Sequence, residues 1–197
     1  MASTSFSIDT FTSKLTQGGA LASLFKAEMN RAKGQASGAV SQSFGFLCKA
    51  SNFPTSSIDV TEINYMGRPI RIPGNRAAQD WTTTIYNDED FAIRSGLENW
   101  MELISSHAFN KRNGAMVSIN SYTGELTIEQ LKKAGGSAGK SYTFVDCWPY
   151  TLAEITVDWD TNEIQTYDVT WAFSYWTSSQ SGISPGGGGS STPSPHT

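Results

Sequence analysis

The sequence predicts a mainly β fold, an antiparallel sandwich or barrel with one flanking α-helix, and three observations carry that prediction. Over residues 166–175, Tyr167, Val169, Trp171, Phe173 and Tyr175 alternate with Thr166, Asp168, Thr170, Ala172 and Ser174. A strand built this way has one large aromatic side and one small, polar, acidic side. Shorter segments with the same period of two recur along the chain between Gly, Pro, Asn and Asp turn residues. Residues 88–107 carry apolar side chains at a helical period and predict the helix. A sheet with one dry and one wet face is antiparallel in character, since parallel sheets are buried on both sides.

Taken in order, residues 1–20 are rich in Ser, Thr and Gly and are expected to form a flexible amino-terminal extension. Phe25, Ala27 and Met29 alternate and predict a first strand. Phe44, Phe46 and Cys48 predict a second, with a small-residue loop over 30–41 between them. Ile58 and Val60, then Ile63 and Tyr65, alternate with a change of phase that predicts a bulge. Met66-Gly67-Arg68-Pro69 is expected to turn the chain into Ile70-Arg71-Ile72, and Pro73-Gly74 to end that strand. Trp81, Thr83 and Ile85 form the next. Val117 with Ile119, Leu126 with Ile128, Val145 with Cys147, and Ile155 with Val157 and Trp159 extend the series to about nine or ten strands.

In the helical stretch, Ile93, Leu97, Trp100, Met101 and Ile104 share one stripe, and Asn87 or Asp88 is placed to cap it. Gly96 at the stripe's edge leaves room for close approach to a strand, and Phe91 points away from the stripe. After Trp176 the chain is Gly-, Ser- and Pro-rich and cannot bury enough apolar surface to offset its ordering entropy. The expected organisation is an extension over 1–20, one β domain over 21–176, and a tail over 177–197.

The 197 residues suffice for one domain with a sizeable core. A net charge of −4 argues against a surface built to grip nucleic acid, which needs clustered Lys and Arg. Arg68, Arg71, Lys111, Arg112, Lys132, Lys133 and Lys140 are instead spread over separate turns and loops, as solvated or subunit-contacting charges. Cys48 and Cys147 sit at apolar strand positions and read as buried reduced thiols. The first residues hold no basic segment followed by an apolar run, so a chain kept in a reducing cytoplasm is expected.

Sites for chemistry fail one by one. Ala134-Gly-Gly-Ser-Ala-Gly-Lys-Ser141 resembles a phosphate-binding loop, but that chemistry needs a helix to open at the Lys-Ser end, and Tyr-Thr-Phe-Val-Asp-Cys-Trp-Pro follows. A hairpin loop is the better reading. Asp158, Asp160 and Asn162 open like a calcium loop, yet Glu163 stands where glycine is needed and Val169 where glutamate is needed. A turn in which these side chains bond their own backbone is expected there. His107 and His196 are the only histidines, which removes a Ser/His/acid triad and a multi-histidine metal site. Trp81, Trp100, Trp159 and Trp171 fall on predicted apolar faces and are expected in the core. No enzyme activity, metal or cofactor is expected.

Three blocks in order, Phe46-Leu-Cys-Lys-Ala, then residues 67–89 reading Gly-Arg-Pro-Ile-Arg-Ile-Pro-Gly-Asn-Arg-Ala-Ala-Gln-Asp-Trp-Thr-Thr-Thr-Ile-Tyr-Asn-Asp-Glu, then the alternating stretch to Trp176, resemble the tail tube proteins of contractile-tailed, T-even-like bacteriophages. The resemblance implies a β-sandwich or barrel protomer that closes hexameric rings, stacked as a virion tail tube assembled in the host bacterial cytoplasm. It implies as partners further copies of the chain, the tail sheath protein, and baseplate and tail terminator proteins. DNA would pass through the lumen without specific binding, and nothing would insert in a membrane. Thr82, Thr84, Thr166, Asp168 and Thr170 are the expected lumen-facing positions. The hairpin over 58–72, with Asp59, Glu62, Arg68 and Arg71, is the expected contact between rings. The amino-terminal extension, the loop over 31–41 and the tail depart from the family pattern. A tube subunit of another contractile injection or secretion system, and a monomeric β-sandwich that grips carbohydrate or peptide, remain as alternatives.

Overall fold

The computed structural model describes residues 7–15, 18–31, 38–109, 114, 118–133 and 138–179. Expectations for Lys111, Arg112, Val117, His196, the first four residues of the Gly-rich 134–141 segment, much of the 31–41 loop and most of the tail fall outside those residues. Among the described residues, nine strands, β1 (Phe25–Arg31), β2 (Cys48–Ser51), β3 (Ser57–Tyr65), β4 (Arg68–Ala77), β5 (Trp81–Tyr86), β6 (Gly124–Leu131), β7 (Ala138–Leu152), β8 (Thr166–Ala172) and β9 (Tyr175–Ser178), are joined by α1 (Ile8–Lys14), α2 (Ala39–Leu47), α3 (Ala92–Ile104) and α4 (Ile119–Tyr122).

Every pairing is antiparallel, and β7 organises the whole. Its first part, Ala138 to Cys147, pairs with β6, which pairs with β1, and also with β9. Its last part, Trp148 to Leu152, pairs with β8, followed by β5 and then β2. Just before the junction Asp146 takes a positive φ of 56°, and the ladder to β6 shifts register beside it. One long strand therefore bends from a first sheet (β1, β6, β7, β9) into a second (β7, β8, β5, β2), as sandwich corners do.

The core lies between them. Trp81 of the second sheet stacks on Phe144 of the first at 4.3 Å, while Phe44 and Trp100 each meet Trp171 edge-on at 6.1 Å. Buried indole N–H groups need acceptors, and all three find one: Trp81 donates to the Asn52 carbonyl, Trp100 to the Tyr122 carbonyl and Trp171 to Thr83 Oγ1. Ile93, Leu97 and Trp100 of α3 are buried as its stripe predicts, and the Asp88 carboxylate accepts the Ala92 N–H at its start. Both cysteines are free and buried, and burial pushes the Cys48 thiol up to about 12 and raises that of Cys147 further.

Several expectations are corrected. Phe44 and Phe46 lie in α2, not in a strand, so Phe44 is buried while Phe46 is 91% exposed. Val40, Phe44 and Leu47, at i, i+4 and i+7, form the inward helical stripe that period-two reading passed over. Residues 8–14 also form a helix, with Ser7 Oγ accepting the Thr10 N–H at its start. Ile119 begins the one-turn α4 instead of a strand. Phe91 precedes α3 in a left-handed conformation, φ 52°, so it is the helix's entry residue and not part of its outer face. Pro73-Gly74 does not end β4; in a two-stranded ribbon each strand is an edge, where proline is tolerated. β8 stops at Ala172, and Tyr175, expected on the core side, opens β9 half-exposed and opposite Val145.

Most consequential is the segment 155–159. β7 ends at Leu152, and Trp159 is fully exposed, not a core residue. The Asp158 carboxylate accepts the Asp160 N–H, an Asx turn that takes the chain off the ladder. That bond is the backbone turn expected for the Asp158, Asp160, Asn162 spacing.

Candidate assembly surfaces

Two surfaces stand out. The first is the outer face of the second sheet. In an antiparallel pair, directly opposed residues share a face. Thr82 opposes Thr170, Thr84 opposes Asp168, and Tyr86 opposes Thr166, so the five expected polar positions are brought onto one face. Thr84 Oγ1 donates to Asp168 Oδ1 at 2.6 Å across the strands. Their neighbours Trp81, Thr83 and Ile85, with Tyr167, Val169 and Trp171, are all buried on the opposite face. Sequence reasoning missed that Ala50 of β2, Thr151 of β7 and Tyr86 extend the polar face. Tyr86 is an aromatic on a face expected to have none, and Lys49 Nζ stands 5.4 Å from its ring centre. The phase was readable at Tyr86, two residues after Thr84.

The second surface is the β3–β4 hairpin. Its turn is Met66-Gly67, with φ of 48° and 78°, the doubly left-handed geometry of a tight hairpin, in which glycine is the unstrained residue. Every residue of both strands is exposed, and the two strands form a sheet of their own. The bulge lies between Ile58 and Val60, earlier than the change of phase at Val60 to Ile63 suggested, and it contains Asp59. Tyr65 opposes Arg68, Ile63 opposes Ile70, and Thr61 opposes Ile72, forming one largely apolar face. Glu62 opposes Arg71 on the other, and Arg71 Nε donates to Glu62 Oε1 at 2.9 Å. Of the four expected contact residues, Glu62 and Arg71 meet, whereas Asp59 and Arg68 lie towards opposite ends of the ribbon. At the root, Arg76 donates to Ser56 Oγ and stands 5.3 Å from the Trp176 ring centre.

The sheet margins differ. Along β1, helix α2 lies so close that a Cβ at Gly45 would come within 2.8 Å of the Ala27 carbonyl, and Ser41 donates to the Met29 carbonyl. A helix covers that edge. In the second sheet, β2 has β5 as its one strand partner, and the last part of β7 has β8 as its one strand partner, among the described residues. Of nucleotide chemistry there is no structural basis at 138–141, where β7 begins with no helix. No group of three or more His, Cys, Asp or Glu that could hold a metal occurs among the described residues.

Matched against known families, residues 3–179 fit the family model described as phage tail tube protein. The chain belongs to the phage tail tube family. The tail tube protein gp19 of Enterobacteria phage T4 is 30% identical to it over 136 residues, which take in 68% of this chain and 82% of that one. Among solved structures, a chain of the sheath–tube complex of an extracellular contractile injection system, PVC, in its extended state aligns over 88% of this chain and 98% of its own, with a TM-score of 0.51 and 15% identity. A chain of that system's sheath/tube terminator aligns over 66% and 84%, with a TM-score of 0.52 and 16% identity. At such identities these two likenesses speak for the fold. This tail tube protein is thus a structural virion component of the contractile-tail type.

Proposed function

We propose that this tail tube protein closes hexameric rings by joining its second sheet edge to edge with those of its neighbours, and that the rings stack into a tube through which DNA is ejected. The observation that carries the reading is that the second sheet, the one bearing the polar face, ends in two strands each paired on one side among the described residues, β2 and the last part of β7. An open edge is a template for another chain. Joining β2 of one copy to β7 of the next, repeated around an axis, closes the sheets into a barrel without edges. The face with Thr82, Thr84, Thr166, Asp168 and Thr170 then lines the lumen, and small, uncharged or acidic side chains let a polyanion slide without holding it. The exposed hairpin, with Asp59, Glu62, Arg68 and Arg71, reaches the neighbouring ring. Sheath and terminator proteins are the proposed further partners, in keeping with the assemblies that hold its structural neighbours; a baseplate protein is proposed on the resemblance alone. Assembly occurs in the host cytoplasm, with 21–176 as the tube domain and 1–20 and 177–197 as its extensions.

Negative-stain microscopy of the concentrated protein, with mass measurement across a dilution series, tests the reading. Hexamers or their stacks are expected. A species that stays monomeric at millimolar concentration, and forms no tubes when given tail initiation components, overturns it and returns the monomeric binding module to consideration.

A further inference from the structure

The loop over 153–165, between β7 and β8, keeps three large apolar side chains in water: Val157, Trp159 and Ile164 are each more than two-thirds exposed. A fully exposed tryptophan in a loop rooted by hydrogen bonds is an anchor without a socket. The root is firm, since Arg94 Nη1 donates to the Ala153 carbonyl at 2.9 Å and the Ala153 N–H donates to the Asp168 carbonyl. The same loop holds Glu154, Asp158, Asp160 and Glu163 and no Lys or Arg.

The hairpin is its counterpart. Its apolar face presents Tyr65, Ile63, Ile70 and Ile72, and its tip presents Met66. Residues 57–77 hold three arginines against two carboxylates, in a chain that is acidic overall. Arg71 is taken up by Glu62 and Arg76 lies at the root, so Arg68, which has no carboxylate partner among the described residues, is the cation offered at the tip. Apolar surface is thus paired with opposite charge on the two elements.

Topology sets them at opposite ends of one sheet. The hairpin leaves between β2 and the Trp81 end of β5, where Trp81 opposes Trp171. The loop returns to the sheet at Thr166, which opposes Tyr86 at the other end of β5. Six residues of strand separate the two, about 20 Å at the usual rise per residue. Both are exposed in the protomer, so neither covers the other within a copy, and they are suitably placed between copies related by translation along the sheet. Such a contact is head-to-tail and continues into an open stack.

We propose that the hairpin of one copy docks on the 153–165 loop of a second copy in the adjoining ring, with Trp159, Val157 and Ile164 packed against the Tyr65, Ile63, Ile70 and Ile72 face and Arg68 among the loop carboxylates. This rests on the stacking reading above and names the receptor that reading leaves open. Apolar burial supplies the adhesion, and charge selects the orientation.

The test is a double variant, Met66→Cys with Thr161→Cys, both at exposed positions and neither in the packed apolar set, assembled and treated with a short bismaleimide. Cys48 and Cys147 are buried and do not compete. The expected result is a ladder of covalent oligomers extending past the dimer on a denaturing gel, absent from either single variant. Separately, Trp159→Ser with Val157→Ser is expected to abolish tubes while folded rings persist. Tubes seen by microscopy with no ladder, or tubes of ordinary length from the serine variant, overturn the docking and leave stacking itself standing. A wild-type protein that forms rings and never tubes removes both.

Discussion

At the residue scale, Trp171 shows how one side chain ties the layers together. It meets Phe44 of α2, Trp100 of α3 and Trp81 of β5, and its indole N–H is held by Thr83 Oγ1 at 2.9 Å. Thr83 is buried while Thr82 and Thr84 beside it face outward, so three consecutive threonines have different energetic roles. Thr83→Val leaves a buried donor unpaired and should cost about 1–3 kcal/mol, whereas Thr82→Val should stay within about 0.5 kcal/mol. Urea unfolding of the unassembled protein checks this as a lower midpoint at unchanged slope for Thr83→Val alone. The buried thiols give a pH prediction. Burial raises the Cys48 pKa from 9.0 to about 12, so the folded state holds that proton to higher pH than the unfolded chain does. Its contribution is complete below pH 9.0 and is lost as pH climbs towards about 12. Cys147 and Tyr167, also raised mainly by burial, act in the same direction. Stability measured through that window should fall, and less steeply in Cys48→Ala.

At the scale of elements, the hairpin separates foldedness from assembly. Glu62 and Arg71 are an exposed pair, worth roughly 0–1 kcal/mol to the protomer. Arg71→Glu sets two carboxylates opposite each other, and Arg68→Glu removes the tip cation. Circular dichroism should be unchanged in both, while tubes shorten, because a modest cost recurs at every copy around a ring junction. Tubes of ordinary length from both variants would shift the stacking role to the 1–20 extension or the 31–41 loop. The elements also show what the sequence reveals and hides. β5 and β8 were legible because alternating burial imposes a period of two, and α3 because its stripe is wide and long. That periodicity also gave the polar positions of β5 and β8, though not their pairing, and the resemblance singled out the hairpin. It failed at α2, where Phe44, Phe46 and Cys48 satisfy a period of two by coincidence while Val40, Phe44 and Leu47 satisfy the helical one. It failed again at Trp159, because apolar character alone does not distinguish a core anchor from an exposed one. Four carboxylates in thirteen residues, and an Asx turn at Asp158, were the signals against burial. The unpaired margins of the second sheet depend on how β7 bends at Asp146, a non-glycine positive φ that composition does not announce.

At the scale of the whole molecule, the sign of the lumen wall governs how a tube handles its cargo. The unmodified protein, with a net charge of −4 and Asp168 exposed on the polar face, should show little DNA affinity at physiological salt. Asp168→Lys reverses one charge per copy, and ring symmetry repeats the change around the circumference and along the stack. The protomer should tolerate it, since what is lost is one exposed hydrogen bond from Thr84, about 0.5–1.5 kcal/mol. Tubes carrying the substitution should retain DNA, with an affinity that falls steeply as salt rises, and virions built from them should eject more slowly. Asp90→Lys, at an exposed acidic position ahead of α3 and off the β5–β8 face, makes the same change of charge and is the control. If the two variants hold DNA equally, the polar face of β5 and β8 lies on the outside of the tube. The sheath then becomes the surface against which its small side chains must be explained.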